Sequence, residues 1–183
     1  MAYEVALSGA WEDLAGIAEE KIYAVKFLTD EYTVDLEKRE ALSLSCNIPA
    51  KTYLSILILH YLARKLKGLP QVQGEWISFK QLEGGQGYYP AFRQRVIEPI
   101  LKKYGSNIDG LLELTERFSA KRVQLADVSV VLDVFEGVAV LITLYRADAE
   151  FGPEANILFD KSIKDIFCTE DIVILAEFVA HHI

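Results

Sequence analysis

The stretch from Tyr53 to Leu62, Tyr-Leu-Ser-Ile-Leu-Ile-Leu-His-Tyr-Leu, constrains this chain more than any other feature. Wound as a helix it is apolar almost all round, interrupted only by Ser55 and His60. Spanning a bilayer takes about 20 such residues, so the run is far too short to be a membrane segment. A helix without a polar face must instead be enclosed by the rest of its own protein. The expectation is a buried central helix, with His60 buried in it, ended by Gly68 and Pro70 and opened by Pro49 in the first turn after Asn47. Of the 183 residues, 51% are hydrophobic, enough to build such an enclosure as a single domain over residues 1–183.

The enclosing elements follow from periodicity. Leu7, Trp11, Leu14 and Ile17 recur at helical spacing, predicting a helix over Val5 to Glu20. The period then drops to two. Tyr23, Val25 and Phe27, then Tyr32, Val34 and Leu36, predict a hairpin around Thr29-Asp30-Glu31, with Leu42 and Leu44 as a third short strand. Glu75 to Leu82 reads as extended and Gly84-Gly85-Gln86-Gly87 as a flexible turn. Pro90 opens a helix that Pro99 should kink, and another helix covers Ile108 to Phe118. A second β region runs from Val123 to Tyr145. Its Val138–Leu144 segment is apolar on both faces, as in a covered central strand, and Asn156–Phe159 is a further short strand. Thr169 should cap the last helix. The fold class is α+β: two antiparallel β regions packed with a buried central helix and flanking helices.

Charge and motif content exclude much. The formal charge of −8 repels nucleic-acid backbones and anionic membrane surfaces alike. Cys46 and Cys168 are too few for a disulfide framework or an iron–sulfur cluster, and are expected as small buried hydrophobes. Glu4, Glu12 and Asp13 replace a basic leader, so the expected location is the cytoplasm. The dinucleotide GxGxxG, the phosphate-binding P-loop, the GxSxG elbow and HExxH are all absent.

Three groups of residues remain as site candidates. The glycines Gly84 and Gly85 precede a helix carrying Arg93 and Arg95, a pattern that suits a carboxylate or phosphate. Around them Trp76, Phe79 and Tyr88 offer flat faces for a planar ligand, although aromatics also simply fill cores. The acids Asp148, Glu150 and Asp160 sit at strand ends and loops, where carboxylates hold hard cations, act as acid and base, or cap turns. His60 is a metal-ligand candidate, weighed against a hydrogen-bonded core histidine.

The segments Gly74-Glu75-Trp76-Ile77-Ser78-Phe79, Tyr88, Phe92, Asp148-Ala149-Glu150-Phe151-Gly152-Pro153, Ile157-Leu158-Phe159-Asp160 and Thr169-Glu170-Asp171 resemble a prokaryotic family described only as a domain of unknown function, common in anaerobes. Tyr145 stands where that family usually has tryptophan, and Phe135–Val138 lacks its prolines. Some relatives carry an added iron–sulfur domain, and some are labelled as binding tetrapyrroles, corrin or porphyrin. The resemblance implies a tetrapyrrole as the ligand to test and carries over no catalytic residue. Because the Asp-x-His-x-x-Gly corrinoid motif is absent, a bound tetrapyrrole would need a ligand such as His60 or none from the protein.

Three functions from different classes follow. The leading expectation is a non-catalytic protein that binds a small planar ligand, with the aromatic and glycine-turn residues as its site. The alternatives are an enzyme using the acidic loop with a divalent cation, and an accessory protein to an iron–sulfur or methyl-transfer partner.

Overall fold

In the computed structural model, which describes residues 2–183, the apolar run forms the middle of helix α2 (Thr52–Lys67). Leu54 to Leu59, Tyr61 and Leu62 are buried. Tyr61 stacks on Phe135 with ring centroids 4.2 Å apart, and its hydroxyl donates to the Glu136 carbonyl at 2.9 Å, so the one polar atom it buries is satisfied. Gly68, at φ 102°, ends the helix. Its start differs from expectation. Pro49 bridges Leu42, and the Ala50 amide donates to the Ala41 carbonyl at 2.7 Å, so residues 48–50 run back along a strand before α2 begins at Thr52. A proline has no amide to offer a ladder and fits that border as well as a first turn.

Two antiparallel sheets flank α2. The smaller joins β1 (Ile22–Phe27), β2 (Asp30–Asp35) and β3 (Glu40–Ser43) in chain order. Val25, Phe27, Tyr32 and Val34 point into the core, as the period of two predicts. The larger has the order β4-β8-β7-β6-β5, built from β4 (Trp76–Ser78), β5 (Ala120–Val123), β6 (Val128–Phe135), β7 (Val138–Tyr145) and β8 (Glu154–Asp160). β7 is its middle strand, which explains a segment apolar on both faces. The Leu28 amide donates to the Val134 carbonyl at 2.8 Å and ties the two sheets together.

The remaining helices surround this frame. α1 (Ala2–Ala15) packs on α2 and stops earlier than expected, because the amides of Glu19 and Glu20 turn away to the Tyr23 hydroxyl. Helix α3 (Gly85–Phe92) already contains Pro90, so the glycine stretch is helical from Gly85 onward instead of a flexible turn. It runs through a π turn (Arg93–Ile97) into α4 (Glu98–Tyr104). That wide turn lies just before Pro99, where a regular α ladder would lack an amide donor. Ile108–Glu113 is a 3₁₀ segment followed by the short α5 (Leu114–Arg117). Helix α6 (Thr169–His182) closes the fold, with Cys168 and not Thr169 at its N-cap. Thr169 instead donates its hydroxyl to the Glu83 carbonyl at 2.9 Å. One hydrophobic cluster runs from α1 to α6, confirming the α+β class. No described helix is long and apolar enough to cross a membrane.

Candidate functional site

The glycine turn is built for close packing. Gly84 sits at φ 70°, in the left-handed region that favours glycine. A Cβ on Gly85 would lie 2.0 Å from the Phe79 carbonyl oxygen, so only glycine fits there. Phe79 is 1% exposed and stacks on Phe92 at 4.0 Å, while Tyr88 packs near Phe79. Arg95 reaches the Tyr88 hydroxyl at 3.0 Å and Glu177 of α6 at 3.4 Å, and Arg93 is exposed on the π turn. Trp76 lies elsewhere. It stands opposite Asp160 on the sheet and packs with Leu158, Leu141 and Val131 on the face away from the main core. Phe79, Tyr88, Gly85 and Arg95 are thus brought together, without Trp76. Gly84 borders a hollow of about 640 Å³ between Glu83, Lys164 and the start of α6 at Cys168.

The three acids do not converge. Asp148 closes its own loop, accepting from the amides of Glu150 at 2.8 Å and Phe151 at 2.7 Å. Those two bonds hold its carboxyl below the usual range. Glu150 is exposed beside it. Asp160, 2% exposed, accepts from the amides of Gln73, Gly74 and Ser162 and from the Ser162 hydroxyl. Burial alone would raise its pKa, but these bonds outweigh it and keep the carboxylate ionised. Among the described residues no group of three or more His, Cys, Asp or Glu is placed to hold a metal ion.

His60 departs from its expected burial. Its side chain is 36% exposed, because α2 keeps a narrow open stripe along which Tyr53, His60 and Arg64 lie. Nδ1 is 2.8 Å from Asp171 Oδ2. That hydrogen bond lifts the imidazole above its ordinary 6.5 against the opposing pull of burial, with the charges of Asp171 and Asp13 adding to it. Cys46 and Cys168, expected to be buried, are both exposed and free. Cys168 donates to Asp171 at 3.3 Å, and loss of hydration at the sulfur together with the Asp171 charge pushes its thiol up to about 11.

A second concavity involves residues that the sequence did not mark as a site. A cleft of about 420 Å³ opens between the β3–α2 connection and α6. On one side Ile174, Glu177, Phe178, His181 and His182 recur at spacings of three and four, so a single face of α6 lines it. Tyr53 and Phe178 lie 5.6 Å apart and Phe178 and His182 5.5 Å apart, forming an aromatic wall. His182 Nδ1 is 2.7 Å from the Phe178 carbonyl, which only accepts. That nitrogen therefore carries the proton in a neutral ring and leaves Nε2 as the unshared acceptor.

The opposite side is fixed by Asp30 at the β1–β2 turn. Its carboxylate accepts from the Ser43 hydroxyl at 2.6 Å, the Ser45 hydroxyl at 2.5 Å and the Ser45 amide at 3.2 Å. Burial would raise Asp30, yet the Ser43 and Ser45 bonds hold it below the carboxylate range. Ser43 Oγ in turn accepts from the Cys46 amide at 3.3 Å and its thiol at 3.1 Å, placing Cys46 on the cleft wall. Tyr32, also on that wall, is pushed up to about 12 by burial and by the Asp30 charge, so it stays a hydroxyl donor. Asp30 acts across a sequence gap that no local pattern reveals. The cluster Ser43-Leu44-Ser45-Cys46 was the one visible trace.

Fold and site together define an α+β domain with a ligand-sized, aromatic-walled cleft. The chain belongs to the family described as Domain of unknown function (DUF3786), whose model matches residues 11–182. No curated protein and no solved structure matches it.

Proposed function

We propose that this domain is a non-catalytic binding protein for a small planar ligand, held in the cleft between the β3–α2 connection and α6. The supporting observation is the aromatic wall of Tyr53, Phe178 and His182 facing the Cys46 side of a cleft of about 420 Å³, within the usual size of ligand sites. Most of its lining is apolar, including Ile48, Pro49, Leu54 and Ile174, with a few polar groups that would orient a ligand. Lys51 and His181 supply positive or donor groups for a carboxylate or an amide edge.

The ligand class we put first is a tetrapyrrole, in keeping with the resemblance noted from the sequence. Its broad π face suits the aromatic wall, and His182 Nε2 or the Cys46 sulfur is the donor type that haem iron or corrin cobalt accepts. The cleft would take one face and edge of such a macrocycle and leave the rest toward solvent. A site at the glycine turn, using Gly84, Tyr88 and Arg93, is the second placement. It is favoured by the hollow that Gly84 borders.

Titration with haemin and with a cobalamin, followed by the Soret or corrin bands and by tyrosine and tryptophan fluorescence, tests both placements. A spectral change lost in His182→Ala or Cys46→Ser but kept in Arg93→Ala supports the cleft. The reverse pattern supports the turn. Unchanged spectra at tens of micromolar ligand, about −6 to −7 kcal/mol of affinity, would remove the tetrapyrrole from consideration.

A further inference from the structure

The connections β5–β6 and β7–β8 leave the same end of the five-stranded sheet, since hairpins between consecutive antiparallel strands alternate ends. They are tied together where the Arg146 amide donates to Asp127 at 2.8 Å. At this end three large apolar side chains stand in solvent: Phe151 at 71%, Leu125 at 54% and Tyr145 at 40% exposure. Tyr145 lies on the same sheet face as Leu141, and the Leu125 amide donates to Ser129, a residue of that face too. On that face the polar row Ser129, Thr143 and Asn156 separates this exposed group from the cluster of Val131, Ala139 and Leu141 that Trp76, Val123 and Leu158 complete. Every member of that cluster is a strand residue.

The loop that presents Phe151 is held in shape. Asp148 accepts from the amides of Glu150 and Phe151, and its own amide donates to the Phe151 carbonyl at 2.9 Å. An aromatic ring on a fixed loop costs little conformational entropy on binding. Around it stand the exposed carboxylates of Asp127, Asp148, Glu150 and Glu154. Of the nearby cations, Arg146 is already engaged by both oxygens of Asp109 at 2.8 Å, and against the exposed Lys121 and Arg122 of β5 the four carboxylates remain in excess. Large exposed apolar groups rimmed by charge mark interaction sites more often than accidental exposure does.

We propose that this end of the sheet docks a basic protein segment, with Lys or Arg side chains meeting the four carboxylates and an apolar anchor resting on Phe151, Tyr145 and Leu125. The charge decides among occupants. A second copy would bring the same carboxylates against themselves, and an anionic membrane or nucleic acid would be repelled. This surface is separate from the cleft, and its test does not depend on any small ligand.

The experiment follows amide shifts of the isotope-labelled full chain while a short peptide of alternating lysine and leucine is added, with the glutamate–leucine peptide as control. Shifts should concentrate at Leu125, Tyr145 and Asp148–Phe151, weaken with added salt, and weaken about tenfold in Phe151→Ser, the size expected for losing one anchor. Absent shifts, shifts centred elsewhere, equal binding of the glutamate peptide, or Phe151→Ser binding as well as the parent would each overturn the proposal. Sedimentation of the protein alone provides the last check. Self-association that Phe151→Ser abolishes would make the occupant a second copy and overturn the basic-partner assignment.

Discussion

The Gly84–Phe92 segment and the Ser43–Lys51 segment are both connections into a helix, yet they do opposite things. The first carries the louder sequence, with glycines, aromatics and arginines in a row. The structure spends most of that chemistry on packing: Gly85 lies against the Phe79 carbonyl, Phe79 against Phe92, and Arg95 across to Glu177. The second segment is plain in sequence but opens the aromatic-walled cleft, because Asp30 anchors it from another strand. Glycine next to aromatic residues reports close approach of backbone and ring. Whether a ligand or the protein itself makes that approach is a tertiary matter.

The largest expected effect sharpens this contrast. Gly85→Ala should destabilise the fold by about 3 kcal/mol or more, read as a shift in the urea midpoint, since the new Cβ must displace backbone. A variant as stable as the parent would mean that the turn is not packed shut and would revive it as the ligand site. Asp160→Ala should cost about 2 kcal/mol, because it orphans three amides and a hydroxyl in a buried place. An unchanged melting temperature would show that those donors find water instead.

Smaller effects separate the remaining glycines. Gly84→Ala should cost about 1 kcal/mol through its φ of 70° despite the open space around it. Gly87→Ala, inside α3 with open space and an ordinary φ, should stabilise by up to about 1 kcal/mol. If the two changes act alike, backbone conformation is not what the glycines are for.

The smallest effect concerns His60. Because Asp171 raises its pKa, the folded state favours the protonated ring. The extra stability is fully present below about pH 6.5, the unfolded value, and fades as pH rises through the higher folded value. At 36% exposure, solvent screening limits this to about a few tenths of a kcal/mol. Denaturation at several pH values should show that slope in the parent and lose it in His60→Gln. A slope that survives the substitution would assign it elsewhere.

Some features were legible because their cause is local. Period two in Tyr23–Phe27 and Tyr32–Leu36, the all-round apolar Tyr53–Leu62 and the two-faced Val138–Leu144 each state how much of a segment must be buried, and burial dictates the element. The errors fell where a local signal had two outcomes. Pro49 suited a helix start and a strand border equally, and His60 lay in an apolar run whose exposed stripe only neighbouring helices could define.

By itself, then, the sequence determined the α+β class, the buried central helix, the middle strand of the larger sheet and the absence of the common nucleotide, metal and hydrolase motifs, since these depend on composition and short-range spacing. Only the tertiary structure decided that the aromatics around Gly85 pack on one another, that Asp148 and Asp160 serve their own loops, and that Cys46 meets an aromatic face of α6 across a cleft. Those outcomes depend on contacts between residues far apart in the chain. Such a contact is fixed by which surfaces remain to be buried once the local elements have formed, and local spacing carries no record of it.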